Sequence, residues 1–371
     1  MAAAEAAAMP PVFINGKFCA QRMTGVQRYA WSLLCALDAR LAARPAAAPW
    51  TLLLPGQARA PGLRAIAVRR VPWHGPGGLH GWEQLALPRA ARDGSLINLA
   101  GSAPAFGVRS QVCVMHDAAL FDHPQAYTLV FRSWYRWLFR QLARRSTTAL
   151  VTVSTFSRER LASALEVPGE RFTIVAGAGE HLDRVPADPS LLAAHALDRQ
   201  PFVLVVGSRN PTKNLARLLQ AWRLLARADL RLVLVGGVNP QVFEGRGDGA
   251  AVPGVIDLGT VDDGTLKALY QRALALAFPS LYEGFGLPLL EAMHNGCPVV
   301  ASSAAAVREV CGDAAVYCDP LVPQGIAAAL RDLIDQPARR DEMRERGRCR
   351  ARQFGWDASA LSMRELAEAA R

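Results

Sequence analysis

The stretch FPSLYEGFGLPLLEAMHNGCPVV, residues 278–300, decides how this chain is expected to fold. It continues the apolar run ALALAF (273–278) into a glycine-containing loop, a helical pattern that ends at Gly296, and a second apolar run, CPVVAS (297–302). Strand, loop, helix and strand in this order predict a βαβ unit of a parallel sheet. Ligands of such sheets bind outside the carboxyl ends of the strands, so the loop that carries Glu283 is predicted to lie at a binding crevice.

The same plan opens each half of the chain. PVFING (11–16) leads into the loop RMTGVQRY (22–29) and a helical pattern, and PFVLVV (201–206) leads into GSRNPTKN (207–214) and a second helical pattern. Apolar strands separated by helices are typical of parallel sheets buried on both faces. The sequence therefore predicts two α/β domains with a cleft between them, and the polar segment GEHLDRVPADPS (179–190) is the candidate linker.

Length and composition set limits on the class of protein. A chain of 371 residues with 51% hydrophobic residues can bury two sizeable cores. The start, MAAAEAAAMP, lacks the basic region of a signal peptide, and no run reaches eighteen apolar residues, so a soluble cytoplasmic protein is expected. The seven cysteines are scattered and form no CxxC pair, which indicates neither a disulfide framework nor a zinc site.

The formal net charge of +10 favours an anionic partner, which could be nucleic acid, anionic lipid or a phosphorylated substrate. Most of this charge is arginine, a bias that indicates a GC-rich genome. Lysine occurs at positions 17, 213 and 267 alone, so it is the rarer choice. No nucleic-acid recognition motif is visible, and nucleic acid is not expected as a partner.

The segment FRSWYRWLFRQLARR, residues 131–145, predicts a helix with one basic face. Four arginines recur at a spacing of four, and apolar side chains occupy the opposite face, with Trp137 and Phe139 at the border. The arginines are Arg132, Arg136, Arg140 and Arg144. The segment is either an ordinary surface helix or one that lies on an anionic membrane.

Charged residues follow the predicted strands of the second half. Arg209 and Lys213 come after the first of these strands, where they are either surface charges or ligands of an anion. Glu283 begins the glycine loop before a helix in which Pro288 suits the first turn. The loop amides and the helix dipole can face a phosphate or a sugar oxygen.

These motifs resemble retaining glycosyltransferases of family 4, whose signature is two glutamates eight positions apart, as Glu283 and Glu291 are. The resemblance runs along nearly the whole chain and is closest to bacterial exopolysaccharide and lipopolysaccharide mannosyltransferases. It rests on TGVQRY, HGWEQLALP, VMHDAALFD, VTVSTFS, GEHL, VGSRNPTKN, LYEGFGLPLLEAMHNGCPVVAS and VREVCGDAAVYCDP. At VAGAGEHL (175–182) many relatives carry Asn-Gly, so contacts made there are not carried over.

The resemblance implies the GT-B fold, two facing Rossmann-like α/β domains with parallel sheets and an interdomain cleft. We expect an acceptor-binding domain at 1–182, a nucleotide-sugar-binding domain at 183–350 and a C-terminal helix at 351–371 that crosses back to the first domain. The resemblance assigns the donor phosphates to Arg209 and Lys213, and the donor sugar to His116 and Glu283. Donor contacts are also expected from Gly25, Gly207, Gly284, Phe285, Gly286, Leu287 and, at the ribose, Glu291.

The implied function is metal-independent, retaining transfer of a hexose, mannose from GDP-mannose, to a lipid-linked or oligosaccharide acceptor in bacterial surface polysaccharide synthesis. No cofactor is expected beyond the nucleotide-sugar donor, and the protein would lie in the cytoplasm, peripherally on the inner face of the plasma membrane. A UDP- or dTDP-sugar donor and a nucleotide-sugar epimerase of the same fold remain alternatives. Gly25 could be an ordinary turn glycine, and a metal site could be built from His116, Asp117, Asp122 and His123.

Overall fold

The computed structural model describes residues 9–56, 58–237 and 252–370. Within these residues, thirteen strands form two parallel sheets, one from each half of the chain. The strands are β1 (Val12–Asn15), β2 (Trp50–Pro55), β3 (Ala67–Val71), β4 (Ser95–Asn98), β5 (Ser110–Val114), β6 (Thr148–Thr152), β7 (Phe172–Ile174), β8 (Phe202–Val206), β9 (Arg231–Val235), β10 (Val255–Gly259), β11 (Ala275–Phe278), β12 (Val299–Ser302) and β13 (Val316–Cys318).

Helices connect these strands. They are α1 (Gly25–Ala43), α2 (Gly78–Gly81), α3 (Leu87–Ala90), α4 (Ala119–Asp122), α5 (Leu129–Arg144), α6 (Thr155–Leu165), α7 (Ser190–Ala194), α8 (Leu215–Leu225), α9 (Asp263–Arg272), α10 (Leu287–His294), α11 (Ala305–Cys311), α12 (Pro323–Asp335), α13 (Pro337–Ala351) and α14 (Trp356–Ala369). The described residues also include short 3₁₀ segments and a π-helical segment, Trp82–Ala86.

The two sheets have the strand orders β3-β2-β1-β4-β5-β6-β7 and β10-β9-β8-β11-β12-β13. Every strand pair in both sheets is parallel, for example Val12 with Trp50 on one side and with Ser95 on the other. This is the doubly wound arrangement, and the predicted α/β class with two Rossmann-like sheets is confirmed. We call β1–β7 with their helices the first lobe, and β8–β13 with theirs the second lobe.

Strand order reverses at one place in each sheet. In the first lobe β1 lies between β2 and β4, and in the second lobe β8 lies between β9 and β11. The crossovers leave in opposite directions there, so a crevice opens at the carboxyl ends of β1 and β4, and another at those of β8 and β11. We call these two places the first and second switch points.

Burial explains which strands the sequence reveals. All four residues of β1 and of β11 are buried, and these apolar runs were recognised as strands. The edge strand β3, with the sequence AVRRV, was missed because four of its five residues are exposed and two are arginine. β3 is held in the sheet by backbone pairing with β2, and backbone pairing leaves no hydrophobic pattern in the sequence of β3.

The C-terminal helix α14 packs on α1 of the first lobe. The rings of Tyr29 and Trp356 meet edge to face at 5.4 Å, and Arg40 Nη1 lies 2.8 Å from Asp357 Oδ1.

The expected domain boundary at residues 182 and 183 falls within a 3₁₀ segment, Glu180–Arg184.

Helix α5 carries the predicted basic face, but two of its arginines donate hydrogen bonds to backbone carbonyls of the first lobe. Arg136 donates from Nε to the carbonyl of Leu120 at 2.8 Å, and Arg132 donates to that of Pro124 at 3.3 Å. Phe139 was expected at the border of the basic face and is instead 4% exposed, in the core of the first lobe. Among the described residues, no helix combines the length and apolarity that crossing a membrane would need.

Candidate functional site

The second switch point gathers the charged residues predicted from the sequence. Gly207 follows β8, and the loop of residues 279–286 follows β11, so both reach the same edge of the sheet. A pocket there is lined by Gly207, Arg209 and Lys213 on one side and by Gly236 and Phe278 on the other. The fold therefore brings two cations to the crevice where a Rossmann-like lobe binds its ligand.

Lys213, which lines this pocket, pairs with Glu283 of the loop after β11. Nζ of Lys213 lies 2.6 Å from Oε1 of Glu283, and it also lies 5.2 Å from the centre of the Phe278 ring. The side chains are 25% and 10% exposed, so both can still reach a ligand in the crevice. Two residues 70 positions apart thus form one charged unit at the mouth of the second lobe.

Arg209 also has a carboxylate partner. Its Nη2 contacts Oδ2 of Asp257 on β10, while its backbone N–H donates to the carbonyl of Gly237 at 3.3 Å. A diphosphate entering the pocket would compete with Asp257 for Arg209 and with Glu283 for Lys213. The anion would thereby gain charge-assisted hydrogen bonds from two cations.

The glycine loop presents backbone to the crevice. Gly286 caps α10 with a φ of +103°, a conformation that favours glycine. In the described part of the chain, the N–H groups of Gly284, Phe285 and Gly286 have no hydrogen-bond acceptor. The side chains of Phe285 and Leu287 are each 7% exposed and pack in the core, so a ligand contact from either residue has to come from its backbone.

His116 follows β5 of the first lobe, and its Nε2 lies 3.0 Å from the carbonyl oxygen of Leu99. A carbonyl only accepts, so Nε2 carries the hydrogen and Nδ1 of a neutral ring is an acceptor. Burial, opposed by this hydrogen bond, lowers the pKa of His116 to about 4. The ring is therefore a neutral acceptor at neutral pH, and the Tyr29 ring meets it edge to face at 4.9 Å.

The first lobe touches the glycine loop directly. Ser154 donates to the carbonyl of Gly284 at 2.6 Å, and Oγ of Ser157 lies 2.9 Å from that carbonyl and 3.1 Å from the carbonyl of His116. A Cβ placed on Gly284 would lie 2.6 Å from the His116 carbonyl oxygen. Glycine is required there because the two lobes approach backbone to backbone, which brings the His116 carbonyl next to the residue that follows Glu283.

Glu291 lies deeper than the sequence suggested. Its side chain is 2% exposed, Oε2 accepts from the hydroxyl of Tyr270 at 2.8 Å, and Oε1 lies 3.1 Å from His181 Nε2 and 3.7 Å from Arg28 Nε. Burial favours the neutral acid, but the hydrogen bond of His181 and the charge of Arg28 outweigh it and lower the pKa of Glu291 to about 2. A contact between Glu291 and a ribose would require one of these partners to be exchanged.

Gly25 begins α1 and is exposed. No described atom lies within 4 Å of the position that a Cβ would take, so packing alone does not require glycine.

Two carboxylates of the alternative metal site already have protein partners. Asp122 accepts from Arg160 and Tyr282, and Asp117 accepts from the N–H of Ala119. No group of three or more His, Cys, Asp or Glu side chains in residues 9–56, 58–237 and 252–370 could hold a metal ion.

Comparison with known proteins places this geometry in a family. Residues 191–350, which hold the second switch point, match the family described as "Glycosyl transferases group 1". The O-antigen chain mannosyltransferase B of Escherichia coli is 33% identical over 257 residues, which is 66% of this chain and 67% of that protein. The chain belongs to the group 1 glycosyl transferases. It spans 56 to 62% of the length of two further mannosyltransferases that it matches.

Solved structures share the fold of this glycosyl transferase. WaaG, described as a glycosyltransferase involved in lipopolysaccharide biosynthesis, has a TM-score of 0.70 at 18% identity, covering 96% of this chain and 99% of its own. Anabaena Alr3699/HepE in complex with UDP-glucose has a TM-score of 0.70 at 18% identity, covering 97% of this chain and 100% of its own. The resemblance to bacterial mannosyltransferases drawn from the motifs is thus confirmed at the level of family and fold.

Several residues of the site were not recognised from the sequence. Arg28 joins Glu291 to Asp263, which its Nη2 contacts at 2.8 Å, and so connects the first lobe to the second. Arg22 donates to Thr260 Oγ1 at 2.9 Å and makes a second connection. Both lie in or beside TGVQRY, so the motif itself was the signal. Their partners are more than 230 positions away, which no local pattern reveals.

Proposed function

We propose that this glycosyl transferase moves mannose from GDP-mannose to a saccharide or lipid-linked acceptor, with retention of configuration and without a metal ion. The observation that carries the proposal is the Lys213–Glu283 pair at the second switch point, where the next residue, Gly284, approaches the backbone carbonyl of His116 from the first lobe. Mannose is chosen because the relative with 33% identity is named an O-antigen chain mannosyltransferase. UDP- and dTDP-sugars remain the alternatives that the experiment below separates.

Arg209 and Lys213 would bind the donor diphosphate. Breaking the bond between the sugar and the diphosphate leaves negative charge on the β-phosphate, and positioned cations stabilise that charge most in the transition state. The N–H groups of Gly284 and Gly286, at the start of α10, add donors to the same phosphate. These groups together do what a divalent cation does in other transferases.

Glu283 and His116 would act on the sugar. Positive charge grows at the anomeric carbon as its bond to the β-phosphate oxygen breaks, and the Glu283 carboxylate stabilises it once Lys213 turns to the phosphate. Nδ1 of His116 accepts a hydrogen bond from a sugar hydroxyl. The acceptor oxygen then bonds to the anomeric carbon on the face that the phosphate leaves, and its proton passes to the departing phosphate oxygen. Configuration is therefore retained.

Helix α5 would bring the enzyme to an anionic membrane surface, where a lipid-linked acceptor lies. Arg140 and Arg144 are exposed, and Leu129 and Val130 at the start of the helix are 64% and 83% exposed. Cations beside exposed apolar side chains are the composition of a helix that lies in a membrane interface.

The test is a panel of GDP-mannose, UDP-glucose, UDP-galactose and dTDP-rhamnose, each added to the protein with a neutral mannoside acceptor. We expect GDP-mannose to raise the melting temperature most, and GDP to be released in the presence of EDTA. The product should carry an α-mannosidic bond by NMR. Protection by another nucleotide sugar would reassign the donor, while a β-linked product or a requirement for added metal would refute the mechanism.

A further inference from the structure

The glycine loop of the second lobe contacts the first lobe on both sides of Glu283. The residue before it, Tyr282, is 8% exposed although it belongs to a loop. The residue after it, Gly284, presents its carbonyl to the hydroxyl of Ser154 at 2.6 Å and to that of Ser157 at 2.9 Å. The backbone of Glu283 is therefore held between two contacts with the opposite lobe.

The side chain of Tyr282 lies among three side chains of the first lobe. Its hydroxyl donates to Asp122 Oδ2 at 3.0 Å, and its ring meets the rings of His123 and Phe156 edge to face, with centroids 4.8 and 5.6 Å away. Burial, and after it the charges of Asp117 and Asp122, raises the pKa of Tyr282, so the hydroxyl keeps its hydrogen and donates. We call Asp122, His123 and Phe156 the tyrosine socket.

The acceptor in the tyrosine socket is itself fixed. Arg160 donates to both oxygens of Asp122, from Nε to Oδ2 at 2.9 Å and from Nη2 to Oδ1 at 2.5 Å. Burial raises the pKa of Asp122, but the hydrogen bonds of Arg160 and Tyr282 outweigh it and lower that pKa. The carboxylate is thus charged at neutral pH, and its hydrogen bond with Tyr282 is of the stronger, charge-assisted kind.

Helix α6 is the element of the first lobe that meets the glycine loop. Ser154 is its N-cap, and Phe156 of the tyrosine socket lies in its first turn. The carboxylate of Glu309, on α11 of the second lobe, accepts from the N–H groups of Thr155 and Phe156 at 2.6 and 3.0 Å. A carboxylate is favourable at the positive end of a helix, so this contact fixes α6 against the second lobe.

The residues expected at the donor phosphates are independent of these contacts. Arg209 and Lys213 belong to the second lobe, and Arg209 pairs with Asp257 of the same lobe. Glu283 also has a partner there in Lys213, but its two neighbours along the chain are bonded to the first lobe. Losing the contact with the first lobe would therefore displace the carboxylate and leave the phosphate site as it is.

We propose that Tyr282 is a positioning residue for Glu283, which holds the carboxylate at the donor sugar through the contact of its hydroxyl and ring with the tyrosine socket. This rests on the proposed role of Glu283 in glycosyl transfer. Displacing a reacting group by about 1 Å can cost on the order of 10²-fold in rate. Because the socket belongs to the opposite lobe, Glu283 is placed for the reaction when the two lobes are in contact.

The first experiment compares Tyr282→Phe with Tyr317→Phe in steady-state transfer from GDP-mannose to the mannoside acceptor. Tyr317 is the matched control, since it lies on the edge strand β13 and its hydroxyl donates within the second lobe, to the carbonyl of Gly312. Tyr282→Phe should lower kcat at least about 5-fold and leave the donor KM within about 2-fold of wild type, because it removes a hydrogen bond to a charged group outside the phosphate site. Tyr317→Phe should keep the wild-type kcat.

The same substitution in a Glu283→Gln background separates positioning from a general structural role. The amide has no charge to place, so Tyr282→Phe should lower kcat less than about 2-fold there. If Tyr282→Phe lowers kcat equally in both backgrounds, raises the donor KM instead, or behaves as Tyr317→Phe does, Tyr282 does not position Glu283.

The contact itself is measured without activity, by urea unfolding of Tyr282→Phe, Asp122→Ala and the double variant. A direct contact predicts non-additive effects, with a coupling of at least about 5-fold in the unfolding equilibrium constant. Additive effects would show that the tyrosine socket does not hold Tyr282, and the proposal would be wrong. If the coupling is found but no nucleotide sugar is consumed, the proposed transfer fails and the contact between the lobes stands.

Discussion

Nζ of Lys213 lies 2.6 Å from Oε1 of Glu283, so the cation expected at the donor phosphate and the acid expected at the donor sugar are bonded to each other. The two charges neutralise each other as long as no bound anion replaces Glu283 as the partner of Lys213. Binding of a diphosphate would then release the carboxylate beside the sugar at the moment when it is needed. Under the proposed function, the pair would couple donor binding to the chemistry in a way that neither residue could alone.

Lys213→Ala should lower kcat for transfer about 10²- to 10³-fold, because it removes a donor that stabilises the leaving phosphate. Steady-state kinetics with GDP-mannose, after circular dichroism has shown a native spectrum, measure the effect. Arg331→Ala is the control, since Arg331 is an exposed cation on α12 away from the pocket. A Lys213→Ala variant with the kcat of this control would contradict the role of the lysine.

Glu283→Gln should lower kcat about 10- to 150-fold with little change in donor KM. The amide keeps the shape of the side chain and removes the negative charge that stabilises the sugar as its bond breaks. If kcat stays at the wild-type value, or if KM rises while kcat does not fall, Glu283 is a ground-state ligand only.

Glu291→Gln should lower the free energy of unfolding by about 3 kcal/mol at pH 7. Burial raises the pKa of Glu291, but the hydrogen bond of His181 and the charge of Arg28 outweigh it and lower that pKa to about 2 from an ordinary 4.5. A depressed pKa gives stability that is present above the unfolded value and lost as the pH falls through the folded one. The difference between variant and wild type should therefore shrink between about pH 4.5 and 2.

Urea unfolding at a series of pH values measures this difference. Glu159→Gln, at an exposed position on α6, should show none. A deficit that stays constant down to pH 2 would mean that the carboxylate charge is not the stabilising feature. The donor KM of the folded Glu291→Gln variant tests the ribose assignment separately, and a contact with ribose predicts a higher KM.

Gly284→Ala should reduce kcat and lower the melting temperature, because its methyl group would lie 2.6 Å from the His116 carbonyl and 2.7 Å from Asp117 Cβ. Overpacking of this kind costs about 1–3 kcal/mol. Gly169→Ala is the matched control, since nothing lies within 4 Å of its Cβ position. Equal melting temperatures for the two variants would show that the lobes do not meet as closely as the structure has them.

Arg140→Glu combined with Arg144→Glu should abolish sedimentation with anionic liposomes at low salt, because each cation near such a surface contributes about 1 kcal/mol. These two arginines are chosen because Arg132 and Arg136 also bind backbone carbonyls. Arg331→Glu with Arg352→Glu changes the net charge equally, at exposed positions elsewhere. Should this control lose binding to the same extent, net charge and not α5 is responsible.

The sequence was most informative where one local pattern carries one structure. Apolar runs such as Val12–Asn15 and Ala275–Phe278 predict buried strands, because helices cover both faces of a parallel sheet. The loops after Phe202–Val206 and Ala275–Phe278 have to reach the carboxyl edge of one sheet, so the sequence predicts Lys213 and Glu283 at the same crevice. The exposed strand β3 has no such pattern and was missed.

Only the tertiary structure decided which side chains of distant segments are bonded. Glu291 is expected from the resemblance at the donor ribose, and the structure shows its carboxylate buried against Tyr270 and His181. Lys17 could be noticed as one of three lysines, yet its partner Glu83 stands 66 positions away. Periodicity along the chain reports the face on which a side chain lies, whereas an ion pair depends on how two separately specified elements pack together.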